Sequence, residues 1–280
     1  MQADHHIHMV LDGVNWRAAI ERHTAEVDKK WVRSTLASYQ DRGYTYLRDG
    51  GDKWGVCAYA REAAKDYGIT YRIPFAPLCR QGHYGSFIGE VYANLKEYAS
   101  MVQKNREKCG DFIKIMISGL MDFDRFGVLT EEPLPPEEIR ELIHIAHEEG
   151  FSVMAHANGA RTIQAAAEAG VDSVEHGAYA DEDALWAMKE AGTVWVPTVS
   201  TIGNLQGKGR FQEGAVSRIL ESALENVERF HTIGGLLATG TDAGAWAVEH
   251  GCGAEEGWLA VAGVTQTQLE QGSARIQEKF

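Results

Sequence analysis

Cysteine is scarce in this 280-residue chain: Cys57, Cys79, Cys109 and Cys252 stand far apart and form no C-x-x-C pair. Neither a disulfide framework nor a thiolate zinc site is indicated, and a reducing cytoplasm is the expected compartment. Long apolar runs are missing too. None approaches the roughly 20 residues needed to cross a bilayer, and the first residues lack the basic-then-apolar layout of a secretion signal. Basic side chains are in deficit, 27 against 40 acidic, for a net charge of −13. That balance disfavours polyanions, so neither nucleic acid nor an anionic membrane surface is an expected partner. No low-complexity linker interrupts the chain, and one domain over residues 1–280 is the simplest organisation.

What is present is alternation. Short β-rich runs near residues 3–10, 43–48, 69–77, 111–118, 151–156, 172–176, 193–199 and 234–241 are separated by helical stretches. Eight such units read as repeated βα modules, which gives an α/β fold of the (β/α)8 TIM-barrel class; about 250 residues is its typical length. The strands are apolar throughout, as in DFIKIMIS, which suits strands covered on both faces. The clearest helix is PPEEIRELIHIAHEEG: prolines and Glu open it, Ile139, Leu142, Ile143 and Ala146 form one stripe, and Gly150 ends it. Helices are also predicted over 15–41, 55–67, 88–108, 159–169, 181–191 and 213–233. AEEGWLAVAGV must supply most of the final barrel helix, because the pattern after Thr265 is polar.

Residues able to bind metal fall one after another at the predicted strand ends. A parallel barrel gathers those ends on one face, so their order matters more than any single residue. The first strand carries D-H-H-I-H, in which His6 and His8 share one side, about 6.6 Å apart at Cα, and His5 points the other way. Lys114 interrupts FIKIMIS, where an unpaired ammonium would be costly. It could snorkel from the strand end, form a Schiff base with a carbonyl substrate, or add carbon dioxide to give a carbamate bridging two ions. The surrounding histidines favour the carbamate. His156 ends FSVMAH and His176 ends DSVEH, each where a strand meets its loop. Asp242, in GGLLATGTDAG, could cap the next helix or serve as a general base toward water. Several imidazoles suit zinc better than magnesium or calcium.

Taken in order, D-H-H-I-H, GYTYLRDGG, FIKIMISG, MAHANG, SVEHG and TGTDAG resemble the amidohydrolase superfamily, in its binuclear branch with a carboxylated lysine, from Asp4 to about Val264. The resemblance implies two divalent ions, expected to be Zn2+. His6, His8 and Asp242 would hold the more buried ion and His156 and His176 the more exposed one, with Lys114 as the bridging carbamate. Asp242 and His176 are the implied catalytic residues around a metal-bridging hydroxide.

GYTYLRDGG, DSVEHG and TDAG with a later HG are similar to the prolidase-like and imidazolonepropionase-related enzymes, which open C–N bonds in peptides, N-acyl amino acids or cyclic amides. That implies a hydrolase acting on a small-molecule amide. An ester, lactone or phosphotriester hydrolase and a non-catalytic metal-containing barrel are the alternatives. His83 and Tyr84 in RQGHYG and His250 in EHGCG are the expected substrate contacts, with Arg80 and Arg125 as further candidates for a carboxylate. The β-sandwich usual in this group is not expected here, and a homo-oligomer could cover the surface it would occupy.

Overall fold

Buried apolar strands form the centre of the computed structural model, which describes residues 2–280. In chain order they are β1 (Gln2–Ile7), β2 (Tyr44–Asp49), β3 (Thr70–Arg72), β4 (Leu78–Arg80), β5 (Glu90–Tyr92), β6 (Ile113–Met116), β7 (Val153–Ala157), β8 (Ser173–His176), β9 (Val194–Val196) and β10 (Leu236–Leu237). Every pairing between them is parallel. One sheet has the order β1-β2-β3 and the other β10-β9-β8-β7-β6-β4-β5.

Two junctions join these sheets. The third predicted strand, 69–77, forms only as β3, which pairs with β2; a further strand just beyond its end, β4, pairs with β6. Pro74 and Pro77 lie in the gap, where proline cannot donate to a ladder. On the other side His5 N donates to Thr239 O, Asp242 N to His6 O and His8 N to Ala243 O at 3.0, 2.7 and 2.7 Å. The segment after β10 is therefore tied to β1 beside the D-H-H-I-H motif. With β3 and β4 taken as one interrupted strand, and β5 set aside as an edge addition that pairs only with β4, eight parallel strands make a barrel-type α/β fold, as the repeated βα pattern predicts.

The helices are α1 (Trp16–Thr24), α2 (Lys29–Asp41), α3 (Val56–Ala64), α4 (Leu95–Glu107), α5 (Pro136–Glu148), α6 (Ala160–Glu168), α7 (Glu182–Ala191), α8 (Ser200–Gly203), α9 (Glu213–Thr232), α10 (Ala254–Val261) and α11 (Gln266–Lys279). Helix α5 starts with Pro136 at its first turn and buries Ile139, Leu142, Ile143 and Ala146, the stripe seen in the sequence. The stretch 15–41 is two helices, because Asp28 caps a new start by accepting from Trp31 N. Residues 88–108 begin with β5 rather than with helix.

Helix α11 was not anticipated from its polar composition. Thr265 and Gln268 form a reciprocal capping box at its start, and Leu269, Gly272 and Ile276 are buried. With Phe280, Ile276 packs against Phe112, Met154, Val194 and Ala238, so α11 seals the barrel floor. Its approach is close enough that a Cβ on Gly272 would stand 2.0 Å from Leu237 O. No helix among the described residues is long and apolar enough to cross a membrane.

Candidate metal centre

The two strand-end histidines of β1 and the loop after β10 bring three ligand atoms together. His6 Nε2 lies 3.4 Å from His8 Nε2 and 3.5 Å from Asp242 Oδ1, and His8 Nε2 lies 3.4 Å from the same oxygen. Ligands on one tetrahedral ion at about 2.0–2.1 Å stand about 3.3–3.4 Å from each other, so this triangle has the dimensions of a metal site. Asp242 Oδ1 is buried and has no hydrogen-bond partner among the described residues. Its orphaned state and the imidazole–carboxylate donor set both fit a divalent cation.

The other predicted ligands adjoin this triangle. The His176 ring lies 5.1 Å from that of His6 and 4.6 Å from that of His156. Lys114 is buried on β6, and its Nζ is also without a partner among the described residues. Burial pulls the Lys114 amine well down from its ordinary range, with Arg48 adding to the effect and Glu175 and Asp242 opposing it. Burial likewise pushes the Asp242 carboxyl up, opposed by Lys114. All four imidazoles are held neutral: His8 and His156 drop to about 3, and His6 and His176 fall well below the usual range, burial being the main cause in each. Neutral imidazole is the form that binds metal.

Backbone conformation helps to aim these groups. His176, Thr198 and Asp242 have φ of 67°, 49° and 58°, in the left-handed region. Each such residue costs about 1–3 kcal/mol, a strain that characteristically accumulates at functional sites. The second glycine-flanking position of GYTYLRDGG has its own reason: a Cβ on Gly50 would stand 2.3 Å from His8 Cε1, so the ring packs directly on that backbone.

A polar layer beneath the histidines went unnoticed in the sequence. Glu175 Oε2 lies 2.8 Å from His6 Nδ1, an electrostatic contact outside hydrogen-bond geometry that favours the proton on Nδ1 and so leaves Nε2 free on the side of His8 and Asp242. Arg48, fully buried, donates to Glu175 Oε1 at 2.8 Å, Ser173 Oγ at 2.9 Å and His5 O at 2.7 Å. His176 Nδ1 pairs with Thr198 Oγ1 at 2.7 Å, and His156 Nε2 lies 3.1 Å from Gly119 O. Glu175 stands next to His176 in SVEHG. Its alternation on the strand, which turns it to the interior, was the available signal.

Of the predicted substrate contacts, Tyr84 lines the cavity above the histidines, its ring 5.0 Å from His156. Burial keeps its phenol protonated well above the usual range. His83 and His250 are not brought there. The His83 ring turns to Glu131, 3.5 Å from Oε1. His250 is wedged behind β1, with Nδ1 3.0 Å from Tyr39 Oη and Nε2 2.9 Å from Leu11 O, so both ring nitrogens are engaged. Arg80 pairs with Glu138 and Arg125 with Asp122, which takes both guanidinium groups.

Comparison with known proteins gives a consistent result. The profile of the Amidohydrolase family matches residues 4–272. The ochratoxinase of Aspergillus niger is 29% identical over 174 residues, which cover 58% of this chain and 35% of that protein. An uncharacterised protein of Mycobacterium tuberculosis is 31% identical over 124 residues, 42% of this chain and 33% of its own length. The chain thus spans about a third of the length of these curated relatives. Among solved structures, a Xaa-Pro dipeptidase with bound methionine in its active site superposes with a TM-score of 0.77 at 21% identity, covering 96% of this chain and 72% of that one. The A. niger ochratoxinase structure gives 0.78 at 22% identity, covering 96% and 68%. At these identities the solved structures establish the fold.

Proposed function

The chain belongs to the amidohydrolase family, and from that premise we propose that it is a metal-dependent hydrolase that cleaves the C–N bond of a small amide, dipeptide, N-acyl amino acid or cyclic amide, working as one barrel domain. The observation that carries this reading is the triangle of His6, His8 and Asp242, whose 3.4–3.5 Å edges suit one ion. His156, His176 and Lys114 adjoin it as the set for a second. Zinc is the proposed metal at both positions.

Lys114 is proposed to bridge the two positions as a carbamate. Its lowered pKa brings the neutral amine within reach, and that form adds carbon dioxide with loss of one proton. The buried, unpartnered Nζ of a residue that lines the cavity supports this assignment. Divalent ions held here would polarise the scissile carbonyl and acidify a nearby water. Asp242 lines the cavity and is the carboxylate placed to take a proton from that water as its oxygen bonds to the carbonyl carbon. The same carboxyl then returns the proton to the leaving nitrogen as the C–N bond breaks. His176, held by Thr198 and lining the cavity, would hold the second ion beside the reacting carbonyl, and the protonated Tyr84 phenol can donate to a substrate oxygen.

Turnover by the zinc-loaded protein across N-acyl amino acids, dipeptides, hydantoins, lactones and phosphotriesters tests the proposal. Hydrolysis of at least one amide class is expected, with Asp242→Asn lowering it by about 10²–10⁴-fold while the fold persists. Turnover confined to lactones and phosphotriesters, or none at all, would defeat it.

A further inference from the structure

The cavity over the histidines has a volume of about 600 Å³, in the range of about 300–1,000 Å³ that suits a drug-sized ligand. Its floor carries the polar groups already described. Its walls are aromatic. Trp16 and Tyr84 flank Phe87, with ring centroids 5.5 and 5.7 Å away, and a second run places Phe211 5.2 Å from Phe123 and 6.1 Å from Trp246. Trp246 follows Asp242 by four residues, so one loop carries both a metal-site carboxylate and a wall.

Arg210, an exposed residue of the loop before α9, is the cation at the rim of those walls. Its guanidinium carbon lies 4.3 Å from the centre of the Trp246 ring and 5.3 Å from that of Phe211. No carboxylate of the described residues lies within 4.0 Å of it, unlike the guanidinium groups of Arg80 and Arg125. Stacking occupies the face of a guanidinium and leaves its edge N–H groups free for bidentate binding of an anion. Arg210 thus places an unpaired positive charge at the cavity wall of a chain whose net charge is −13.

We infer that this upper chamber selects ligands that combine a flat aromatic ring with an anionic group, the ring packing against Phe211 and Trp246 and the anion meeting the edge of Arg210. This names the substrate class of the amide hydrolase proposed above and rests on that reading for its catalytic meaning. Arg210 is then a specificity-determining residue remote from the reacting bond. A neutral aliphatic amide would fill neither feature, and a cationic substrate would be repelled.

Equilibrium dialysis of the zinc-loaded protein with three probes tests the inference without relying on turnover. These are 2-naphthalenesulfonate, methyl 2-naphthyl sulfone, which keeps the ring without the charge, and methanesulfonate, which keeps the charge without the ring. Sulfonates are weak zinc ligands, so the floor contributes little to the comparison. The naphthalenesulfonate is expected to bind at least about ten-fold tighter than either other probe, the scale of one charge-assisted hydrogen-bonded contact. In Arg210→Met its advantage over the sulfone should fall below about two-fold, whereas exchange of an outer-surface arginine, Arg33→Met, should preserve it. Equal binding of sulfonate and sulfone by the parent protein, or an advantage that survives Arg210→Met, would overturn the inference. Failure of the amide panel would instead strike the hydrolase reading alone.

Discussion

Glu175 and Arg48 show how one buried pair can serve both stability and the proposed metal site. Both side chains are inaccessible, and Glu175 divides its two oxygens between Arg48 and His6. Glu175→Leu alone should cost about 3–5 kcal/mol, because it strands a buried guanidinium. The double variant Arg48→Met/Glu175→Leu should regain most of that stability yet bind zinc about 10–100-fold more weakly than the parent, as His6 loses its orienting partner. Chemical denaturation with chelator competition reads both quantities; parental zinc affinity in the double variant would contradict the positioning role.

His250 makes a separate pH-dependent prediction. Burial lowers its pKa to about 4, against an ordinary value of 6.5. A depressed histidine contributes stability that is full above pH 6.5 and lost as the pH falls toward 4, since the unfolded state takes up the proton first. The stability advantage of the parent over His250→Phe should therefore shrink by about 2 kcal/mol between pH 7.5 and pH 5. A gap independent of pH would refute this. The sequence placed His250 in a functional loop but could not show that Tyr39 and Leu11, some 200 positions earlier, claim both ring nitrogens. Lys114 was readable for the opposite reason: on a strand, neighbours and alternation fix where a side chain points.

Among secondary-structure elements, most strands were readable as short apolar runs, whereas β4 and β5, and the breaks between strands, were set by longer-range contacts. The split between β3 and β4 follows from two prolines that the sequence displayed plainly. Helix α11 was missed because its buried face is narrow, although its Thr265 and Gln268 capping box was available. Its contribution can be measured. Gly272→Val would push a side chain into Leu237 O and lift α11 from the floor formed by Phe112 and Val194, so a loss of about 2–4 kcal/mol is expected in urea denaturation. Unchanged stability would mean that α11 does not seal the barrel as described.

Across the chain as a unit, the fold gathers residues from position 6 to position 242 onto one face, and that convergence was the part of the site best foretold. Parallel topology explains why: strand order dictates which ends meet, whatever the loops between them do. The chamber above was not foretold, because Arg210, Phe211 and Trp246 lie in loops whose course no periodicity reveals. Family membership carries the proposed reaction class, and the loops carry the proposed choice of substrate.

Zinc content of protein loaded with zinc and bicarbonate and then desalted tests the two-ion site with the fewest assumptions. The parent should retain about two equivalents per chain, and Lys114→Ala fewer than about one, with partial recovery when a short-chain carboxylate replaces the lost carbamate. A parent that retains no zinc, or a Lys114→Ala variant that retains as much as the parent, would contradict the bridged centre.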